Sequence, residues 1–394
     1  MKGLQKISRF IYLIVALLFG FIVVFGLSKV SEKSKGPIAT VLEKAENTVE
    51  EVEKTIILEQ RSFSREDKLK WFANVRNNKE KLINSQIVLF GASDQSKKES
   101  YESIINLEDS LHMSFPIISI YQAWGEKEAQ NFPMREVKAI SNIGSVPMIT
   151  WEPWVSEFSL ENFPEIAAVE ERDKNAMSYI YWGKYDAFIK KWALAAKNYG
   201  RPFYLRLGHE MNEPYRYPWG PQNNTPQEFV AGWQHIHDVF TQVGATNVIW
   251  VWSPHPAYGY FDAYYPGPQY VDVVATGILN FGTGTSWSKW WTFDELFGQH
   301  YSELAAFNKP MMIAEFGSLR TGGDRVKWFG DALNGFKKKF PLVNSIVFFH
   351  YPGDKTTSDK TVSWYIKDDP KVTAEIRKQI RSWNPSTVQP GLDQ

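Results

Sequence analysis

Cysteine is absent from all 394 residues, which excludes disulfides, thiolate zinc sites and a cysteine nucleophile, and leaves redox compartment unreadable from thiol usage. The chain also lacks an excess of either charge: 44 Lys and Arg balance 44 Asp and Glu. No global field then favours nucleic acid or an anionic membrane surface, and a neutral partner fits better. A phosphate-binding glycine fingerprint is missing, since the Gly-Thr-Gly-Thr-Ser-Trp run at 282–287 has the wrong spacing and comes far too late. No second histidine stands at helical spacing from His209 and Glu210, so no metal is expected, and no cofactor is expected either. Aromatic residues, in contrast, make up 15% of the chain, with 16 Trp and 18 Tyr. Most must pack the core, but an excess of Trp and Tyr also suits stacking on the apolar faces of sugar rings.

Residues 10–27, FIYLIVALLFGFIVVFGL, carry no charge and follow Lys2, Lys6 and Arg9. Such a run is just long enough to cross a bilayer, and its basic flank predicts a cytoplasmic N-terminus with the remainder extracytoplasmic. A cleaved signal peptide, with secretion, is the competing reading. Leu42, Ala45, Val49, Val52 and Ile56 then recur at spacings of three and four, predicting an amphipathic helix too short to be claimed as a coiled coil. The expected organisation is a tip and anchor over 1–30, a helical stalk over 31–69, a catalytic domain over 70–385 and a tail over 386–394.

From residue 86 the pattern becomes short apolar runs separated by longer amphipathic stretches, the mark of a parallel sheet with crossover helices. Strands are predicted at 86–91, 115–121, 146–151, 203–208, 247–252, 271–277, 310–314 and 344–350, with helices including 185–199, 226–243 and 323–339. Continuous apolar strands are buried on both faces, and eight of them close most naturally into an α/β (β/α)8 TIM barrel. A doubly wound open sheet is the alternative. Working residues of such barrels sit where strands end. The fourth strand ends in His209, Glu210, Met211 and Asn212, and the seventh in Ala314, Glu315 and Phe316. Strands four and seven lie on opposite sides of the mouth, so the two glutamates can face each other as glycoside hydrolysis requires, one protonating the leaving oxygen and one attacking or activating water.

The strings RLGHEMNEPYRYPWG and MMIAEFG closely resemble glycoside hydrolase family 26, mostly endo-β-1,4-mannanases with some mixed-linkage β-glucanases. The resemblance covers roughly residues 70–385. It implies a retaining mechanism with Glu210 as acid/base and Glu315 as nucleophile, and His209 touching the sugar or the nucleophile. It further implies Arg206 beneath the carboxylates, Trp151 and Trp154 as an aromatic wall, and Asn212, Trp219 and Trp364 around the cleft. Near strand six the family carries a tyrosine that hydrogen-bonds the nucleophile, whereas this chain reads Gly277-Ile278-Leu279-Asn280-Phe281. Asn280, or Tyr258 or Tyr260 from the preceding loop, is the expected substitute. Glu152 and Glu213 are expected near the cleft as substrate-binding or structural carboxylates, and His350 either lines it or packs in the core. The substrate implied is a β-linked polysaccharide. An alternative reading is a weakly active or non-catalytic glycan-binding partner of a membrane polysaccharide synthesis or export system.

Overall fold

The computed structural model describes residues 65–93, 101–285, 289–355 and 361–390. The expected membrane segment at 10–27 and nearly all of the expected stalk lie outside them. No helix among the described residues is long and apolar enough to cross a membrane.

Eight parallel strands follow one another around a closed barrel: β1 (Leu89–Ser93), β2 (Ile117–Ala123), β3 (Val146–Glu152), β4 (Phe203–Leu207), β5 (Val248–Trp252), β6 (Val273–Asn280), β7 (Met311–Ser318) and β8 (Val343–Phe349). Each matches a predicted strand within a few residues. The long crossovers are helical, as at Asp186–Tyr199 and Pro226–Val243. Thr225 and Glu228 cap the latter reciprocally at its start, and Gly244, at φ 79°, ends it. The predicted helix at 323–339 is two pieces, Arg325–Leu333 and Phe336–Lys339, because the chain turns left-handed at Gly335 (φ 62°).

Alternation along the strands sorts side chains into two cores. Leu89, Ile117, Met148, Tyr204, Val251, Ala275, Met312 and Val347 fill the barrel, while their strand neighbours pack outward on the helices with Trp192, Trp233 and Phe240. Leu69, Phe72, Leu82 and Ile83 close the bottom. Residues 65–69, assigned from sequence to the stalk, are therefore part of this domain: the buried Arg65 donates to both carboxylate oxygens of Glu108 and to Ser145. The first residues of the expected tail also pack here, with Thr387 accepting from the Val88 amide at 2.8 Å.

Two local irregularities govern the open end. The pairing of β6 with β7 slips between Thr276 and Gly277, so that Ile313 pairs with Thr276 and Glu315 with Gly277. Ala314 faces the barrel interior, and strict alternation would turn Glu315 away; the bulge turns it back into the mouth. Beyond β4, Gly208 (φ 50°) and Glu210 (φ 54°) are both left-handed. That is a costly conformation for a glutamate, held here by the Glu210 amide donating to Ser253 O at 2.7 Å.

Candidate active site

The interior-facing row changes character toward the mouth: Tyr121, Thr150 and Arg206 stand level on β2, β3 and β4. Arg206 is fully buried and spans the barrel. Its Nη1 donates to Glu315 Oε1 at 2.6 Å and its Nε to Ser253 Oγ at 3.1 Å. The Tyr121 hydroxyl donates to the same Glu315 oxygen at 2.6 Å. One oxygen of Glu315 thus takes a guanidinium and a phenol, and Oε2 is left for other work.

Glu210 meets a different environment. Burial, and then the charge of Glu315, raises its carboxyl to about 7, against the opposing pull of Arg216 and Arg206. Arg216 Nη1 lies 3.8 Å from Glu210 Oε2 and is partly open to solvent. The two glutamates converge. A methyl group on Gly277 would stand 3.3 Å from Glu315 Oε2 and 3.7 Å from Glu210 Oε1, which caps the separation of those oxygens at about 7 Å.

His209 is buried with its Nε2 3.1 Å from the Tyr217 hydroxyl. Burial first, then the charges of Arg206 and Arg216, hold its imidazole well below the usual histidine range, so the ring is neutral. The Tyr217 ring stacks on Trp219 at 4.6 Å, and Trp154, half-buried, meets both edge-on.

Several expected site residues stand elsewhere. Trp151 is fully buried against Trp124 and Trp192, because alternation on β3 turns Thr150 and Glu152 inward and Trp151 toward the helices. It is core, not cleft wall. Trp219 is also fully buried and donates its indole N–H to His209 O at 2.8 Å, so it braces the cleft from behind. Trp364 is covered by Phe281 and Phe349, with its indole N–H on Asp354. The Asn212 amide is spent on the loop after β5: its nitrogen donates to His255 O and Gly259 O, and its oxygen accepts from the His255 amide. It ties two loops together and has no donor left for a sugar.

Asn280 does not replace the strand-six tyrosine. It bonds Ser318 and the amides of Gly282 and Trp291. Tyr258 packs on His255 and Tyr215, and Tyr260 is 80% exposed. The hydroxyl on Glu315 comes instead from Tyr121, across the barrel. The alternation of Ile117, Ser119 and Tyr121 gave a sequence signal for an inward polar group at that strand end, but not for its partner. Glu213 accepts the amides of Tyr215 and Arg216 and shapes the loop. His350 is core, stacked on Tyr365 at 4.2 Å. His235 pairs with Asp186, and His237 packs on Trp250 and Tyr270. Among the described residues no group of three metal-ligating side chains converges.

An eight-stranded parallel barrel with two carboxylates converging at the carboxyl ends of β4 and β7 has the layout of the barrel glycosidases. Residues 138–342 match glycosyl hydrolase family 26, and the chain belongs to that family. It is similar to endoglucanase H of Acetivibrio thermocellus, 36% identical over 251 residues, covering 61% of this chain and 25% of that protein. It is also similar to mannan endo-1,4-beta-mannosidase A and B of Caldalkalibacillus mannanilyticus, 23% identical over 199 residues, 49% of this chain and 36% of that protein. The chain thus spans about a quarter to a third of the length of these relatives. The solved Bacillus subtilis mannanase shares the fold, with a TM-score of 0.53 at 19% identity over 83% of this chain and 96% of that one.

Proposed function

We propose that this protein is a retaining glycoside hydrolase that cuts internal β-linkages of a β-1,4-mannan or a related β-glucan. Glu315 attacks the anomeric carbon through Oε2. Glu210 gives its proton to the leaving oxygen, then takes one from the water that releases the glycosyl-enzyme. The observation that carries the reading is the pairing of unlike carboxyl groups over Gly277: Glu315 with two donors on its far oxygen, and Glu210 with burial favouring its protonated form. That is the division of labour the two steps need. The names of the relatives divide between glucan and mannan, so both polymers belong in the test.

The full-length protein is incubated with mannans, mixed-linkage β-glucan and cellulose, and the products are separated by chromatography. Internal cleavage of at least one polymer is expected, and Glu315→Ala should abolish it with the fold intact. Glu210→Ala should still react with an aryl glycoside bearing a good leaving group and be rescued by azide, giving a glycosyl azide of retained configuration. Turnover unchanged in Glu315→Ala would remove the mechanism. Binding of oligosaccharides with no product would favour the alternative of a glycan-binding partner.

A further inference from the structure

Cations and anions balance in number along the chain, but the barrel sorts them by end. All eight strands run toward the mouth, so the loops that lead into them, together with residues 65–83, make the base. On that face Lys68, Lys70 and Lys81 are exposed and Arg76 is half-buried. Arg201, just before β4, and Lys338 and Lys339, in the turn before β8, are exposed as well. These pieces form one surface. Arg76 and Arg201 line a common hollow with Ser145 and Pro202, the Asn344 side chain on β8 donates to Ile83 O at 2.7 Å, and Lys79 pairs with Asp272, just before β6, at 2.9 Å. Against those seven cations the same face exposes three acids, Glu66, Asp67 and Glu80. None of the seven is in an ion pair among the described residues.

The opposite end carries the reverse sign. The segment that follows β3 at the mouth holds Glu157, Glu161, Glu165, Glu170, Glu171 and Asp173 against Arg172 and Lys174. A chain neutral overall draws no distant anion, but screening confines a charge to about 8 Å at physiological salt, so a surface touching the base meets only the base's cations. The course of the chain selects that surface. The described chain enters the barrel on this face at Arg65, which Glu108 and Ser145 hold. Ahead of it in sequence stands the uncharged run 10–27, whose length suits a bilayer core. A layer of lipid headgroups, rather than a soluble polyanion, is then the anionic surface brought to the base. Leu342, 37% exposed and three residues beyond Lys339, adds an apolar group fit to enter such a layer.

We propose that the base of the barrel docks on an anionic lipid surface through Lys68, Lys70, Lys81, Arg201, Lys338 and Lys339, which turns the mouth away from the bilayer. Each lysine or arginine near such a surface contributes about 1 kcal/mol. The docking does not rest on the glycosidase reading, and its test involves no turnover.

With no cysteine in the chain, one introduced thiol takes one fluorescent label. Full-length protein carrying Gln86→Cys at the base or Glu161→Cys at the mouth, both exposed positions, is reconstituted in phosphatidylcholine vesicles with or without phosphatidylglycerol. A lipid with a quencher on its headgroup reports contact with the surface. Phosphatidylglycerol should increase quenching of the base label at least about twofold, leave the mouth label unchanged, and lose its effect in about 1 M salt. Lys338→Gln with Lys339→Gln should lower the ratio of docked to undocked protein by roughly 30-fold. Equal quenching of the base label in the two lipids overturns the proposal, since a tether alone would produce it. So does a mouth label quenched as strongly as the base label, a signal indifferent to salt and to both lysines, or no association with either vesicle.

Discussion

Tyr121 on β2 donates its hydroxyl at 2.6 Å to the Glu315 oxygen that also takes Arg206. Burial, and then the Glu315 charge, raises the phenol well above its ordinary pKa, so it stays a donor at every working pH. A hydrogen bond to a charged group is worth about 1.5–3 kcal/mol. Tyr121→Phe should therefore lower kcat/KM by roughly ten- to 150-fold with unchanged circular dichroism. Full activity in this variant would show that the phenol does no work on Glu315.

The pH profile follows from Glu210. In the proposed mechanism its protonated form is required in the first step, and burial raises its carboxyl to about 7, so kcat/KM should fall as pH rises through about 7. Because Glu152 is raised to about 7 as well, Glu210→Ala on an activated aryl substrate separates the two. Loss of the alkaline limb in that variant assigns it to Glu210, and a limb that persists does not.

Stability carries the opposite signature to an ordinary ion-paired carboxylate. The folded protein holds Glu152 and Glu210 above their ordinary value of about 4.3. Their contribution is fully present below that value and is lost as pH rises through about 7. Glu210→Gln and Glu152→Gln should then raise the melting temperature more at pH 8 than at pH 5. An equal shift at both would contradict the raised values.

Gly277 is the floor between the glutamates. Ala there would put its methyl 3.3 Å from Glu315 Oε2, in the space a sugar's anomeric carbon needs. Gly277→Ala should lose at least about tenfold in kcat with its melting temperature within a few degrees of wild type. Unimpaired turnover would show that the reacting ring sits elsewhere.

Trp151 and Trp154, three residues apart, should behave oppositely. Trp151→Ala opens a hole in a packed aromatic layer and should cost about 3–5 kcal/mol of stability. Trp154→Ala, at a half-buried position beside Glu152, should mainly raise KM. Chemical denaturation and steady-state kinetics on the same two proteins check both.

What the sequence determined by itself is local in origin. Runs of apolar residues buried on both faces announce parallel strands, their number announces the barrel, and strand ends announce where chemistry gathers. The meeting of Glu210 and Glu315 at the barrel mouth was legible because each closes such a run. Side-chain partnership was not legible, because it depends on alternation, register and slips between strands distant in sequence. Trp151 points outward because its neighbours Thr150 and Glu152 point in. Glu315 reaches the mouth only because β7 slips one residue against β6. Tyr121 meets Glu315 across 194 residues of chain, and Asn212 turns from a sugar donor into a loop tie because the segment after β5 folds over it. Apolar pattern is written into neighbouring residues and survives being read one strand at a time. The hydrogen-bond geometry of a catalytic cleft is set by closure of the barrel, which brings together groups that no local pattern connects.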